Sequence, residues 1–295
     1  MYDLPEVEIP IQMRDWVFAV EPGPNRRQRA AIEIALNTIA TSQELAKTCS
    51  LKGGILMGLN YGSPRLTADI DLSLSSMPTP KTPDEFKNEL DSYFDFIALT
   101  LAFPNIKMRV HSIKRLPKHK FDTASFPGMQ LKLNFVDKTN AKQLSAFEKG
   151  VPIEIVDMDV SFNEPAEDLT ILKLSGEREI LAYGLAELIA EKYRALHQQV
   201  IRNRNRRQDA YDLWWLSTRN KISDKQKALI LSRLIKKSSS RGIEVSSESI
   251  LNPGIRKRAE EDWETQRLEI GDALPQFKEC WDEVLELYNK LPWEA

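Results

Sequence analysis

In the first third of the chain, the apolar residues first recur at helical spacing and then occur mostly in short runs. Ile32, Leu36 and Ile39 recur three and four residues apart, which predicts an amphipathic helix over Arg26 to Lys47. The residues beyond it are predicted to form, in order, a strand over Cys49 to Lys52, a helix over Ile55 to Asn60, a strand over Leu66 to Leu74 and a helix over Asp84 to Ala102.

The residue pattern predicts strands in the middle of the chain and helices towards its end. Runs rich in Val, Ile, Leu and Phe predict strands over Lys107 to Lys114, Met129 to Val136 and Pro152 to Phe162. Helical periodicity predicts helices over Ile180 to Leu216, Asp224 to Lys237 and Asp262 to Leu291. The pattern therefore predicts an α+β protein: an α/β domain over residues 1–165, with a small mixed sheet flanked by helices, and a helical domain over residues 166–295 that contributes to the active-site cleft.

Composition indicates a soluble globular protein. Of the 295 residues, 42% are hydrophobic and 28% are charged, and the formal net charge is −2, so a nucleic-acid partner would need a local basic patch. Cys49 and Cys280 are far apart and have no metal-ligand spacing, which is typical of reduced thiols. The acidic start is unlike a signal peptide, and no apolar run is long enough to cross a bilayer, so we expect a cytoplasmic protein without a membrane partner.

One segment, Lys52 to Ser75, combines a glycine pair with two spaced carboxylates. Asp69 and Asp71 are two residues apart in a predicted strand, so both side chains should point to one face. Two adjacent carboxylates repel each other unless a cation lies between them, and oxygen ligands of this kind suit Mg2+. Gly53 and Gly54, at the start of a short helix, would let backbone N–H groups approach a phosphate. This layout indicates nucleotidyl transfer.

A third carboxylate is expected, because two-metal sites commonly use one more ligand. Asp157 and Asp159 share one face of a later predicted strand. We select Asp159 as the third ligand, with Asp157 as the alternative. The competing interpretation of the Asp-x-Asp motif alone is a solvated strand end or a turn.

The helical half contributes a lysine and two aspartates. Lys192 lies on or beside the apolar stripe that includes Leu188 and Leu196, so its ammonium should reach either a phosphate or an acidic partner. The alternative is that the lysine only extends to solvent or pairs structurally. Asp209 and Asp212 share a helix face. Asp209 could orient Lys192 or a substrate, while Asp212 could simply anchor the helix.

A basic run lies next to these residues. Arg202, Arg204, Arg206 and Arg207 could hold a triphosphate or an RNA backbone, because arginine offers paired hydrogen bonds to phosphate. The alternative is a solvated loop between helices.

Three segments together carry a family resemblance. The pattern KGG…YG…RLTADIDL resembles the AbiEii/AbiGii-type nucleotidyltransferase toxins, and DVSFNEP and LAELIAEKYRAL…RRQDAYDL are similar to later motifs of that family. The resemblance implies a polymerase-beta-like nucleotidyltransferase fold and a nucleoside triphosphate (NTP) substrate with Mg2+ or Mn2+. It also implies an RNA acceptor such as the tRNA 3′ end, a cognate antitoxin protein, and a role in abortive infection, a form of phage defence.

Carried over by position, the resemblance implies roles for individual residues. The implied metal ligands are Asp69, Asp71 and Asp159, which are also implied to be catalytic together with Lys192 and Asp209. The implied nucleotide-binding residues are Gly53, Gly54, Arg65, Thr67, Arg206 and Asp212.

Two positions depart from the family pattern. Ile55 stands where a hydroxyl residue often follows the glycines, and Gln208 stands where a basic residue often precedes the aspartate. The alternatives are therefore a nucleotide-binding pseudoenzyme, or a kinase-like member that modifies a protein and acts through a partner protein.

Overall fold

Residues 12–293 are the part of the chain that this computed structural model describes, and they contain a seven-stranded mixed sheet. The strands are β1 (Ser50–Lys52), β2 (Ile70–Ser73), β3 (Ile106–Leu116), β4 (Gly128–Asp137), β5 (Glu154–Ser161), β6 (Leu169–Lys173) and β7 (Glu179–Tyr183). Their order across the sheet is β3-β4-β5-β2-β1-β7-β6. The short strand β2 is therefore central, with β5 parallel to it on one side and β1 antiparallel to it on the other.

Alternation of apolar and polar residues explains the longer strands. In β5, Val156, Met158 and Val160 are buried, while the intervening Asp157 and Asp159 are exposed. A strand with this pattern covers an apolar core with one face and leaves its other face for polar side chains. The three strands predicted in the middle of the chain are confirmed as β3, β4 and β5.

Six helices of the described chain precede or interrupt the sheet. They are α1 (Met13–Phe18), α2 (Pro24–Thr41), α3 (Leu45–Thr48), α4 (Gly53–Tyr61), α5 (Thr82–Thr100) and α6 (Ala141–Glu148). The predicted helix that begins near Arg26 ends at Thr41, and a separate short helix, α3, follows it. α5 packs against both β3 and α2.

The remaining helices follow β7. They are α7 (Leu185–Arg202), α8 (Arg207–Arg219), α9 (Asp224–Ser239), α10 (Pro253–Glu260), α11 (Arg267–Ile270) and α12 (Phe277–Asn289). α7 packs against α8, α9 and α10. The α+β class, with a mixed sheet followed by a helical portion, is confirmed.

The chain divides into two compact units. Of the described residues, the first unit contains 12–62 and the segment Thr67–Ala182, and the second contains Ser63–Leu66 and 183–293. The predicted boundary near Pro165 falls inside the first unit, because β6 and β7 follow it and join the same sheet.

Three predicted elements differ from the structure. Residues 180–183 form strand β7 and not the start of a helix, because Leu181 and Ala182 pair with β1. The predicted strand from Leu66 contracts to the four residues of β2, since Ser63–Leu66 belong to the second unit. The predicted C-terminal helix is interrupted between α11 and α12, where Gly271 has a φ of +80° and Pro275 follows.

Residues 1–11, on which the expectation of no signal peptide rests, lie outside the described residues. Among residues 12–293, no helix has the length and apolar character needed to cross a membrane.

Candidate active site

A row of charged residues crosses the centre of the sheet. Lys52 of β1 is the register partner of Asp71 of β2, and Asp71 is the register partner of Asp159 of β5. Directly paired residues on neighbouring strands project to the same face of a sheet. One face therefore presents a cation and two carboxylates from three adjacent strands.

A glycine turn lies against the central carboxylate of this row. Gly53 begins α4 with a φ of +73°, a backbone conformation that L side chains rarely adopt. A Cβ atom at this position would lie 2.0 Å from Asp71 Oδ2 and 2.7 Å from Asp71 Cγ. Gly53 thus lets the backbone pass next to the carboxylate, and any larger residue would displace one or the other.

Lys52 adds an ion pair to the site that was not predicted from the sequence. Its Nζ donates to Glu164 Oε2 at 2.8 Å and lies 3.4 Å from Ser161 Oγ. The lysine side chain is 11% exposed and the glutamate side chain 8% exposed, so the pair is largely shielded from water. The available sequence signal was the lysine directly before the glycine pair and the glutamate in the FNEP segment.

The structure separates the two candidates for the third ligand. Asp159 is directly opposite Asp71, whereas Asp157 is opposite Lys132 of β4 and its Oδ1 lies 3.1 Å from Lys132 Nζ. Both side chains of the Asp157–Lys132 pair are about half exposed, at 51% and 54%. Asp157 therefore has a local partner of its own, while Asp159 extends the row that contains Asp71.

The types of the residues in this row suit a divalent cation, whereas the positions of their side chains do not by themselves form a metal site. Carboxylate oxygens from Asp71 and Asp159 are the hard donors that Mg2+ prefers, and the exposed Asp69 precedes β2 by one residue. Within residues 12–293, no three acidic, histidine or cysteine side chains converge closely enough to hold a metal ion. The fit rests on donor chemistry and on the register of β2 with β5.

A second group of predicted residues lies in the second unit, around Lys192. Its side chain is 6% exposed, and Nζ lies 2.5 Å from Asp212 Oδ2 and 3.4 Å from Asp209 Oδ1. Burial alone would lower the pKa of Lys192, but Asp212 and then Asp209 outweigh it and hold the pKa above its ordinary value. The closer contact of Lys192 is therefore with Asp212.

Arg65 completes this group from a distant part of the sequence. Its Nε and Nη2 donate to the two oxygens of Asp212 at 3.2 and 3.1 Å, and its Nη1 donates to Glu269 at 3.2 Å. Burial would raise the pKa of Asp212, but Arg65 and Lys192 hold that pKa below its ordinary value. Asp212, only 1% exposed, is the shared counter-ion of two buried cations.

The remaining predicted residues are placed as follows. Gln208 Nε2 donates to both oxygens of Glu269, at 2.9 and 3.0 Å, so this departure from the family pattern supports the carboxylate that also binds Arg65. Arg206 Nη1 lies 3.8 Å from Asp209. Thr67 is half-buried where the chain re-enters the first unit, and Gly54 is buried inside α4.

The predicted site residues therefore fall into two groups, one in each unit. The first unit contains Gly53, Gly54, Thr67, Asp69, Asp71 and Asp159, and the second contains Arg65, Lys192, Arg206, Asp209 and Asp212.

Comparison with solved structures gives matches of low sequence identity. MenT4, a nucleotidyltransferase toxin from Mycobacterium tuberculosis, superposes with a TM-score of 0.52 at 15% identity, covering 94% of this chain and 87% of that chain. JHP933 from Helicobacter pylori gives a TM-score of 0.48 at 17% identity, covering 92% and 93%. The likeness to MenT4 shows a shared fold. A comparison with curated proteins gives no match.

Comparison with protein families extends over most of the chain. The sequence model described as "Nucleotidyl transferase AbiEii toxin, Type IV TA system" matches residues 34–286. That range includes both groups of predicted site residues. Since the match covers well over half of the chain, the protein belongs to the AbiEii family of nucleotidyltransferase toxins.

Proposed function

We propose that this toxin nucleotidyltransferase transfers a nucleotide from an NTP to an RNA acceptor such as the 3′ end of tRNA, with a divalent cation held by Asp69, Asp71 and Asp159. The observation that carries the proposal is the direct register of Asp71 with Asp159, beside a Gly53 turn that only glycine fits. When bound, Mg2+ or Mn2+ would polarise the α-phosphate and the attacking hydroxyl.

In the first unit, the backbone at Gly53 and Gly54 is proposed to bind the triphosphate. The positive φ of Gly53 brings the backbone close to the carboxylate row, and α4 begins there with its N–H groups unpaired within the helix. Lys52 is proposed to position this turn, because its ion pair with Glu164 ties β1 to the segment that follows β5.

In the second unit, Lys192 is proposed to compensate phosphate charge, and Asp212 to orient it. Asp209 is the more accessible aspartate, at 15% exposed against 1% for Asp212, so it is the better candidate for a substrate contact. Asp209 keeps the substrate role that the sequence suggested for it, while Asp212, suggested there as a helix anchor, takes over the orientation of Lys192. Arg65, Thr67 and Arg206 remain proposed nucleotide-binding residues.

Transfer of label from each of the four α-³²P-labelled NTPs to total RNA tests the proposal. The wild type should label RNA with Mg2+ or Mn2+, and chelation by EDTA should abolish the label. Parallel reactions with γ-labelled NTP should leave both RNA and protein unlabelled. Label from the γ-phosphate on a protein would instead show kinase-like transfer.

Matched variants locate the site. Asp71→Asn and Asp159→Asn should each lower the rate at least about 100-fold, because each removes charge stabilisation of the transition state. Asp157→Asn is the control, since it has the same chemistry on the same strand face but pairs with an exposed lysine, and it should stay within about twofold of the wild type. Equal losses in Asp157→Asn and Asp159→Asn would refute the ligand assignment.

A cognate antitoxin is the proposed protein partner. Expression of the toxin alone should arrest growth, and Asp71→Asn should remove the arrest. Co-expression of each neighbouring gene with the wild-type toxin would identify the antitoxin by restored growth. If Asp71→Asn remained fully toxic, the growth arrest would not depend on nucleotide transfer.

A further inference from the structure

Two basic segments, far apart in the sequence, meet in the second unit. The segment RNRNRR, residues 202–207, contains four arginines and runs from the last residue of α7 to the first residue of α8, and α10 includes the segment RKR, residues 256–258. Arg258 Nη2 donates to Asn203 Oδ1 at 2.6 Å, which joins the two segments directly. From the sequence, only the first of them is predicted as a candidate phosphate-binding segment.

A buried glutamine fixes both segments to α7. Gln199 is 1% exposed, its Nε2 donates to the carbonyl of Ile255 at 2.9 Å, and its Oε1 accepts from the backbone N–H of Arg206 at 3.1 Å. The backbone N–H of Arg204 also donates to the carbonyl of Gln199, at 3.0 Å. The α7–α8 loop is held by two of these bonds, one of them to a buried side chain, so it has a defined backbone path and is not simply a solvated connection.

A cavity of about 530 Å³ lies between the two segments. Asn203, Asn205, Lys257 and Arg258 supply its polar lining, Val200 is its single large apolar side chain, and Glu261 is its single acidic one. We call this cavity and its two basic segments the basic groove. Protein-binding surfaces usually have an apolar centre, which the basic groove does not have.

The charge of the basic groove contrasts with that of the whole chain, which is −2. The pKa of Arg202 is lowered by burial and by the neighbouring charges of Arg194, Arg204 and Arg206. Like charges held together in this way repel one another, and an anion that spans them would relieve that repulsion. Arginine and amide side chains are suited to phosphate and sugar oxygens.

We propose that the basic groove binds the phosphodiester backbone of the acceptor RNA. This inference rests on the proposed function for the identity of the RNA as acceptor. Arg204 of the α7–α8 loop and Lys257 of α10 would contact phosphates of the same strand, and Asn203 and Asn205 of the cavity lining would contact its sugar and phosphate oxygens. Binding through phosphates predicts a strong dependence on salt and a weak dependence on sequence.

The test compares two double variants that each remove two positive charges from the second unit. Arg204→Ala/Lys257→Ala takes one exposed cation from each basic segment, and Lys221→Ala/Lys225→Ala, the control, takes two exposed lysines between α8 and the first turn of α9. Fluorescence anisotropy with a labelled single-stranded RNA, without nucleotide or metal, gives Kd at several salt concentrations. Circular dichroism confirms that both variants fold.

The groove variant should bind RNA about tenfold or more weakly at low salt. Its plot of log Kd against log salt should be flatter by about 1.4, since two phosphate contacts contribute about 0.7 each for a single strand. The control should match the wild type. An unchanged slope in the groove variant, an equal loss in the control, or no RNA binding by the wild type would each overturn the inference.

Two further readouts separate this inference from its alternatives. If polyglutamate competed as well as RNA at equal charge concentration, the groove would be a surface for acidic proteins and the inference would fail. In the transfer assay the groove variant should have a raised KM for RNA and an unchanged KM for NTP. Normal transfer with an unchanged KM for RNA would refute the groove alone, whereas salt-dependent binding without any transfer would refute the proposed function alone.

Discussion

Replacing Gly53 by alanine should damage the site through one contact that the structure defines. The φ of +73° costs an L residue about 1–2 kcal/mol. In addition, the new Cβ would lie 2.0 Å from Asp71 Oδ2, where side-chain contacts shorter than 3.0 Å are essentially never seen. The Asp71 carboxylate or the turn would have to move by about 1 Å, which is enough to lower a positioned reaction about 100-fold.

Gly242 offers a matched control. Its φ is +69°, and a Cβ there would have no heavy atom within 4 Å, so alanine at this position introduces backbone strain without a clash. Urea unfolding should show a loss of about 1–2 kcal/mol for Gly242→Ala and a larger loss for Gly53→Ala. Transfer of α-labelled nucleotide should remain in Gly242→Ala and fall about 100-fold in Gly53→Ala.

A double-mutant comparison isolates the steric part. In an Asp71→Ala background the two closest atoms are removed, although Asp71 Cβ would still lie 2.9 Å from the new methyl group. The free-energy cost of Gly53→Ala should then decrease toward that of Gly242→Ala. The reasoning would be refuted if the cost were the same in both backgrounds, or if Gly53→Ala transferred nucleotide at the wild-type rate.

Three further changes should have measurable effects on unfolding. Lys52→Met should destabilise the protein by about 3 kcal/mol in urea, because it breaks a shielded ion pair. Adding Glu164→Gln should restore part of this loss of unfolding free energy. If the loss in the double variant were the sum of the two single losses, the pair would contribute nothing. Asp212→Asn should cost about 3–5 kcal/mol and Asp209→Asn only about 1 kcal/mol, and the reverse order would refute Asp212 as the main counter-ion. Burial lowers the pKa of His197 from 6.5 to about 4, so below pH 6.5 the unfolded state binds the proton more tightly. Stability should therefore fall by up to about 3 kcal/mol as the pH is lowered from 6.5 to 4, and His197→Leu should flatten this dependence in thermal unfolding.

Local patterns of apolar and polar residues were sufficient to predict most strands and helices of the fold. Period-two burial in β4 and β5 and the helical stripe of α7 are properties of short segments, and such segments can be read without knowing their partners. β7 could not be read in this way, because the short apolar run from Ile180 to Tyr183 suits a strand or a buried helix equally well. Its pairing with β1 decides between them.

Within the candidate site, the residue types could be predicted but their neighbours could not. The register of Asp71 with Asp159 joins residues on strands separated by α5, β3, β4 and α6, and long-range pairing of this kind leaves no local signal. The same holds for Arg65, for which the family resemblance implies a nucleotide contact but whose side chain forms paired hydrogen bonds with Asp212. The role of Lys52 could not be predicted, because a lysine before a glycine pair has no distinctive local pattern and its partner Glu164 is more than a hundred residues away in the sequence.

The placement of Ser63–Leu66 in the second unit determines when that unit can finish folding during synthesis. These four residues precede Tyr183 by more than a hundred positions, yet Arg65 binds Asp212 and the backbone N–H of Leu66 donates to the carbonyl of Glu269 at 2.8 Å. During synthesis, Arg65 leaves the ribosome long before its carboxylate partners exist. The helical unit must therefore be completed late, after Glu269 has emerged, and a fragment that starts at Tyr183 would lack one of the two cations that Asp212 binds.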